Sequence, residues 1–279
     1  MVSYIKEVEK NMRKLQTRGK TLFLAQDQGL EHGPADLPGE TINPDYIFNI
    51  AEKGAIDGFI CQKGLAEKYG DSYKTNLVIK VNGKVNPKSA LGLKGDPYSP
   101  ITCSVKYAVE LGAKAIGFTN FPGSSHQSKI FEDFRKVQEE AHDFGLPVTS
   151  WMYPRGERVD KLEDGDCNGE LLEYASRIGF ELGADMLKMK YNGKPEDMKK
   201  QIRAAGKAKM LMAGGPKAES TKDFLKQIEE TNKCGISGYA IGRNIWKHEK
   251  PISVTKAIRD VQLNNKDVYS ALKRLGDSN

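Results

Sequence analysis

Apolar runs and polar stops alternate along this chain in a repeating unit. Thr21-Leu22-Phe23-Leu24-Ala25 is continuously apolar and stops at Gln26-Asp27-Gln28-Gly29. Continuous rather than alternating apolarity marks a strand covered on both faces. The unit recurs, with strands predicted to begin near Thr21, Gly58, Leu77, Lys114, Pro147, Ala184, Lys209 and Ser237. Helical spacing fills most of the gaps, over residues 45–53, 104–111, 129–144, 171–182, 195–205 and 222–231. Ile130, Phe134, Val137 and Ala141 line one face of the third stretch, 129–144. A short amphipathic helix is predicted over 4–16, and a helical stretch in one or two pieces over 254–275. A Gly/Pro-rich loop spans 86–100, and a polar insert spans 157–169.

Strands that alternate with helices pair in parallel, because each crossover returns the chain to the same end. Eight such units close a barrel. The expected architecture is α/β, a (β/α)8 TIM barrel, with residues 1–279 as a single domain preceded by a short N-terminal helix. A doubly wound open sheet is the alternative topology. No linker or low-complexity tract divides the chain.

Composition narrows the function classes. Hydrophobic residues make up 38% and charged residues 29%, as in globular proteins, and the formal net charge is +6. The cations are scattered among acids, which speaks against nucleic acid and suits an anionic small molecule such as a sugar phosphate. Residues 1–18 lack the apolar core of a signal peptide, and no apolar run approaches the roughly 20 residues of a membrane span. The expectation is a cytoplasmic protein with no membrane partner. Cys61, Cys103, Cys167 and Cys234 form no CxxC and read as free thiols. His32, His126, His142 and His248 are far apart in sequence, which lowers the case for a metal-dependent enzyme; no metal and no cofactor is expected.

Barrel chemistry sits where the strands end. The polar stops there are Asp27, Gln62, Lys63, Lys80, Tyr153, Arg155, Lys188 and Lys190, with Gly214-Gly215 and Gly242-Arg243 after the last two strands. Glycine turns after strands seven and eight, together with a helix start, suit a phosphate. Lys188 and Lys190 are two apart on an apolar strand and leave the same face. A lysine there can act as a Schiff-base nucleophile if its amine is neutral, which burial and a nearby like charge promote. Lys190 is a candidate source of that charge. Spacing alone does not decide which of the two lysines is the nucleophile. The imine chemistry also needs proton carriers, and Asp27 and Tyr153 are candidates. The plainer readings are that Asp27 caps a turn, Tyr153 is a rim aromatic and Trp151 is packing. Thr17-Arg18-Gly19-Lys20-Thr21 lacks the leading glycine of a nucleotide loop, since position 14 is Lys14.

Several motifs resemble the archaeal-type class I fructose-1,6-bisphosphate aldolases, the DhnA-like family, over nearly the whole chain. They are Asp27-Gln28-Gly29-Leu30-Glu31-His32-Gly33-Pro34, Trp151-Met152-Tyr153-Pro154-Arg155-Gly156, Gly183-Ala184-Asp185-Met186-Leu187-Lys188-Met189-Lys190-Tyr191, Ala213-Gly214-Gly215-Pro216-Lys217 and Gly242-Arg243-Asn244-Ile245-Trp246. The resemblance implies Lys188 as the Schiff-base lysine, because the family's tyrosine follows it after two residues. It implies Tyr153 as proton donor and acceptor, and Asp27 as the carboxylate that contacts substrate hydroxyls. Gly214, Gly215, Gly242 and Arg243 are then expected at the first phosphate, with Trp151, Arg155 and Lys190 in the substrate-binding set. Lys63, Lys80, Lys84 and Arg155 are candidates for the second phosphate. A homo-oligomer working in glycolysis and gluconeogenesis is also implied. Gln28 stands where many relatives have histidine.

The expected reaction is reversible cleavage of fructose 1,6-bisphosphate to dihydroxyacetone phosphate and glyceraldehyde 3-phosphate. Two rivals remain. One is a related Schiff-base transaldolase that makes an aminoshikimate precursor, and the other is a non-enzymatic sugar-phosphate sensor.

Overall fold

Apolar runs covered on both faces have only one way to hide every strand edge, which is to close the sheet on itself. In the computed structural model the strands do so, in the order β1 to β8, every neighbour parallel. The structure describes residues 3–276. The strands are β1 Thr21–Gln26, β2 Gly58–Gln62, β3 Leu77–Lys80, β4 Ala115–Asn120, β5 Val148–Met152, β6 Met186–Met189, β7 Lys209–Ala213 and β8 Gly238–Ile241. The helices are α1 Ser3–Lys14, α2 Gln28–His32, α3 Pro44–Lys53, α4 Lys63–Tyr69, α5 Val105–Glu110, α6 Gln127–Asp143, α7 Glu157–Asp160, α8 Gly169–Glu181, α9 Pro195–Ala204, α10 Thr221–Lys233, α11 Arg243–Trp246, α12 Pro251–Asn264 and α13 Val268–Gly276.

Two cores follow from the strand alternation. Outward residues such as Leu24, Phe59, Ile116, Leu187, Met189 and Ile241 pack under the helices. Inward residues Phe23, Ala25, Ile60, Val78, Ala115, Met186, Leu211 and Ala240 fill the barrel, with Leu15 beneath them in the same cluster. Trp151 caps this inner column. It fits because β4 presents Gly117 opposite it, where a Cβ would lie 2.7 Å from the indole. Gly117 pairs in register with Lys80, so the ring reaches across β4 toward β3.

The helices differ from their sequence pattern in three places. The polar stop after β2 starts a helix, α4, that the periodicity did not mark. The link after β1 is the five-residue α2 and two 3-10 turns before α3, too short and polar to show a helical period. The insert over 157–169 holds α7 and a 3-10 turn, Gly165–Cys167. The C-terminal stretch does split, at Asn265, whose φ of 49° breaks the helix. Among the described residues no helix is long and apolar enough to cross a membrane.

Gly117→Ala is expected to push the indole out of its seat, because a rigid ring cannot yield as a flexible side chain would. Such overpacking costs about 1–3 kcal/mol. Thermal unfolding with tryptophan fluorescence checks it, and an unchanged Tm with an unchanged emission spectrum would contradict the packing described.

Candidate active site

The C-terminal ends of the strands gather the sequence's polar stops around one opening. Asp27, Trp151, Tyr153, Arg155, Lys188, Lys190, Gly214, Gly215, Gly242 and Arg243 line a single cavity of about 210 Å³. Its outer wall is shared with a wider cleft of about 550 Å³, through Glu31, His32, Tyr153, Arg155 and Arg243. Lys84 and Lys88 also line that cleft. A separate cavity of about 600 Å³ lies behind the β7 and β8 loops, and its lining includes Tyr46, Lys217, Phe224 and His248 but none of the strand-end carboxylates or Lys188.

Lys188 is the second inward position of β6, one pleat above Met186, and it pairs in register with Trp151. It is only 5% exposed. Its Nζ lies 4.7 Å from the centre of the Trp151 ring. Among the described residues the Lys188 amine has no hydrogen-bond or ion-pair partner. Burial pulls its pKa down to about 8; Lys80 and Arg243 add to the fall, and Asp27 and Glu31 work against it.

Asp27 occupies the position before α2 but makes no capping bond, so the turn-cap reading does not hold. Its carboxylate reaches across the mouth to Lys80, with Nζ to Oδ2 at 3.0 Å. Burial alone would raise its pKa, yet Lys80 and then Lys188 hold the carboxyl well below the usual range. Tyr153 is shifted the other way, upward, by burial and the Asp27 charge. The three groups therefore sit as a carboxylate, a protonated phenol and an amine that titrates near neutrality.

Three expectations need correction. Lys80 does not wait for a phosphate: it is fully buried and ion-paired with Asp27 and Glu31. Lys190 is not the like charge that tunes Lys188. It lies just past the end of β6 and is ion-paired with Asp166 from the insert. The like charges felt by Lys188 come from Lys80 and Arg243 instead. Third, the helix after β8 is one turn long, so a helix dipole adds little at that loop, and an anion there would rely on the glycine turns and Arg243. Of the other second-phosphate candidates, Lys84 and Arg155 line the cleft and Lys63 lines neither cavity.

Residues that sequence reasoning passed over hold the loops in place. Asn244 donates to the carbonyls of Gly214 at 2.7 Å and Pro216 at 2.8 Å, and accepts from the Ala218 N–H at 2.8 Å. It thus fastens the β7 loop to the β8 loop. Asp36 pairs with Lys247 at 2.7 Å, His32 at 2.9 Å and Arg243 at 3.5 Å, tying the β1 loop to the same place. Gly242 is needed where the chain passes Ala25, since a Cβ would come within 2.6 Å of that carbonyl. Asn244 was visible only as part of a motif, and Asp36 carried no signal at all.

The family model for DeoC/LacD family aldolase matches residues 21–248. The class 1 fructose-bisphosphate aldolase of Thermoproteus tenax is 39% identical, over 95% of this chain and 97% of its own length. The fructose-bisphosphate aldolase/6-deoxy-5-ketofructose 1-phosphate synthase of Methanocaldococcus jannaschii is 38% identical, over 96% and 89%. A solved archaeal fructose-1,6-bisphosphate aldolase, with its catalytic lysine covalently bound to the carbinolamine intermediate of the substrate, superposes with a TM-score of 0.84. That chain is 39% identical, and the match covers 91% of this chain and 98% of that one.

Asn244→Ala should strand two carbonyls and one N–H and loosen both loops. The expected cost is about 1–3 kcal/mol of stability. The KM for a phosphorylated substrate should rise on the order of tenfold while kcat changes less. Steady-state kinetics with a melting curve checks this, and an unaltered KM would remove the loops from phosphate binding.

Proposed function

The chain belongs to the DeoC/LacD family of aldolases, and from that premise we propose that it is a class I, Schiff-base fructose-bisphosphate aldolase. It is then a lyase that reversibly cleaves fructose 1,6-bisphosphate to dihydroxyacetone phosphate and glyceraldehyde 3-phosphate. One observation carries the reading: a buried lysine amine, held over an indole and titrating near neutrality, shares a cavity with a carboxylate and a protonated phenol.

In the proposed cycle the neutral Lys188 Nζ attacks C2 of the ketose, and the carbonyl oxygen becomes the carbinolamine hydroxyl. Tyr153 gives that hydroxyl a proton and water leaves, forming the iminium. The iminium accepts the electron pair as the C3–C4 bond breaks. Asp27, anionic at neutral pH, takes the C4 hydroxyl proton, and the aldehyde product departs. Tyr153, reprotonated from water, delivers a proton to the enamine carbon, Asp27 returns its proton to solvent, and hydrolysis of the iminium frees the amine. Gly214, Gly215, Gly242 and Arg243 would hold the C1 phosphate, with Trp151 and Lys190 against the carbon chain. Arg155 and Lys84 would meet the second phosphate across the cleft. We further take the protein to act as one barrel domain, in a cytoplasmic homo-oligomer that serves glycolysis and gluconeogenesis.

A second reading is supported by the bifunctional M. jannaschii relative. A Schiff-base enzyme that passes the enamine to a different aldehyde would use the same three residues. Rapid cleavage of fructose 1,6-bisphosphate as sole substrate favours the first reading.

Borohydride added to the protein with dihydroxyacetone phosphate should place a reduced adduct on Lys188 in peptide mass spectra. An adduct on Lys190, or none, would overturn the assignment. Tyr153→Phe should lower kcat by about 10²–10⁴-fold while the substrate still binds. The pH profile follows from Lys188. At pH 7 about one amine in ten is neutral, so kcat/KM should rise as pH rises and level off above about 8.

A further inference from the structure

Asp27 is the carboxylate nearest the nucleophile in the proposed cycle, and that nearness is a hazard. A buried carboxylate beside a buried lysine forms an ion pair, because an opposite charge within a few ångströms favours the charged form of both. Such a pair at Lys188 would lock the nucleophile as an ammonium. The geometry avoids it. Lys188 sits on the Trp151 ring, while Asp27 turns to a different lysine on β3, 3.0 Å away.

We propose that Lys80 is a positioning residue whose ammonium draws the Asp27 and Glu31 carboxylates to the β3 side of the barrel mouth, and so keeps them from pairing with the Lys188 amine. The inference rests on Lys188 being the Schiff-base residue.

Three features support it. Lys80 is completely buried, so among the described residues its charge has only its two carboxylates and the indole to answer it. Burying a lysine without use would be costly. Second, both lysines lie over one ring, with Lys80 5.2 Å and Lys188 4.7 Å from its centre. Each amine thus has the indole beside it, and the ring stabilises either charge a little. Third, every other charged group facing Lys188 is already engaged. Arg243 is held by Asp36 and by the Gly215 carbonyl. Lys190 and Arg155 share Asp166. Tyr153, also in the cavity, is kept protonated. Asp27 and Glu31 are the acids left near the amine, and Lys80 holds both.

The arrangement has a second consequence for Asp27. Paired with Lys80, it stays a carboxylate in a buried site where an unpaired acid would protonate. One lysine therefore keeps the nucleophile neutral enough to attack and the proton acceptor charged enough to receive.

The test follows adduct formation on Lys188 against pH, with dihydroxyacetone phosphate and cyanoborohydride, by intact and peptide mass spectrometry. The wild-type midpoint is expected near 8. Lys80→Met should raise it by about one to two pH units, as freed Asp27 turns to Lys188. At neutral pH that slows the adduct on the order of ten- to a hundredfold. Asp27→Asn leaves Lys80 its Glu31 partner and should move the midpoint below that of wild type. The pair Lys80→Met with Asp27→Asn should fall back well below Lys80→Met alone. A Lys80 with a purely structural role would reduce the melting temperature and leave the midpoint in place. An unmoved midpoint in folded Lys80→Met overturns the proposal. So does an unmoved midpoint in Asp27→Asn, which decides the matter if Lys80→Met does not fold. An adduct on another residue, or none at any pH, defeats the Schiff-base assignment instead.

Discussion

In the proposed cycle the amine of Lys188 has to be hidden from water without being given an anion, and the barrel mouth meets that requirement. Burial lowers its pKa, and a lone anion would undo the effect. The floor beneath the amine is Trp151, whose ring face stabilises a cation far less than a carboxylate would. The indole can lie there only because Gly117 presents no side chain on β4. Below it the column of Phe23, Ile60, Val78, Met186 and Leu211 excludes water down to Leu15. A packing choice on β4 thus reaches the surroundings of a lysine on β6 in two steps.

Charge is handled at the rim by the same device in miniature. A sugar bisphosphate needs several cations, and cations crowded round an opening repel one another. Here four of them are held by acids from loops: Arg243 and Lys247 by Asp36, Lys190 and Arg155 by Asp166. The acids come from the β1 loop and from the insert after β5, segments outside the regular βα repeat. They keep the cations apart and aimed, at the modest strength of half-exposed ion pairs. An incoming phosphate, doubly charged and rich in acceptors, can compete with a single carboxylate for those donors.

The strands were legible because burial on both faces leaves uninterrupted apolar runs, and the eight runs were placed within two residues of their observed starts. That Lys188 and Lys190 leave one face was legible for the same reason, since a strand alternates strictly. Their different duties were not. Lys190 is set by Asp166, and Lys80 by Asp27 and Glu31, and both pairings join segments far apart in the chain. A lysine that ends a strand looks the same in sequence whether it meets a phosphate or a buried carboxylate. Asp36 and Asn244 were hidden differently, because loop polar residues are common and only their partners distinguish them. The helix α4 was masked by a polar start that doubled as a strand stop.

The two ends of the barrel interior are under opposite demands. The lower layers are apolar and close-packed, as stability alone would choose. The upper layer holds Asp27, Lys80 and Lys188 at positions where apolar side chains of similar volume would cost nothing in desolvation. Lys188 makes the conflict explicit. Its folded pKa of about 8 lies below the ordinary 10.5, so the folded protein binds fewer protons than the unfolded chain between those values. Stability therefore rises with pH across that interval. Below about pH 8 the full penalty of a buried ammonium is present, and it fades as the unfolded lysine also loses its proton. The pH at which the amine loses its proton is thus the pH at which its burial starts to cost less. Both follow first from the burial of the amine.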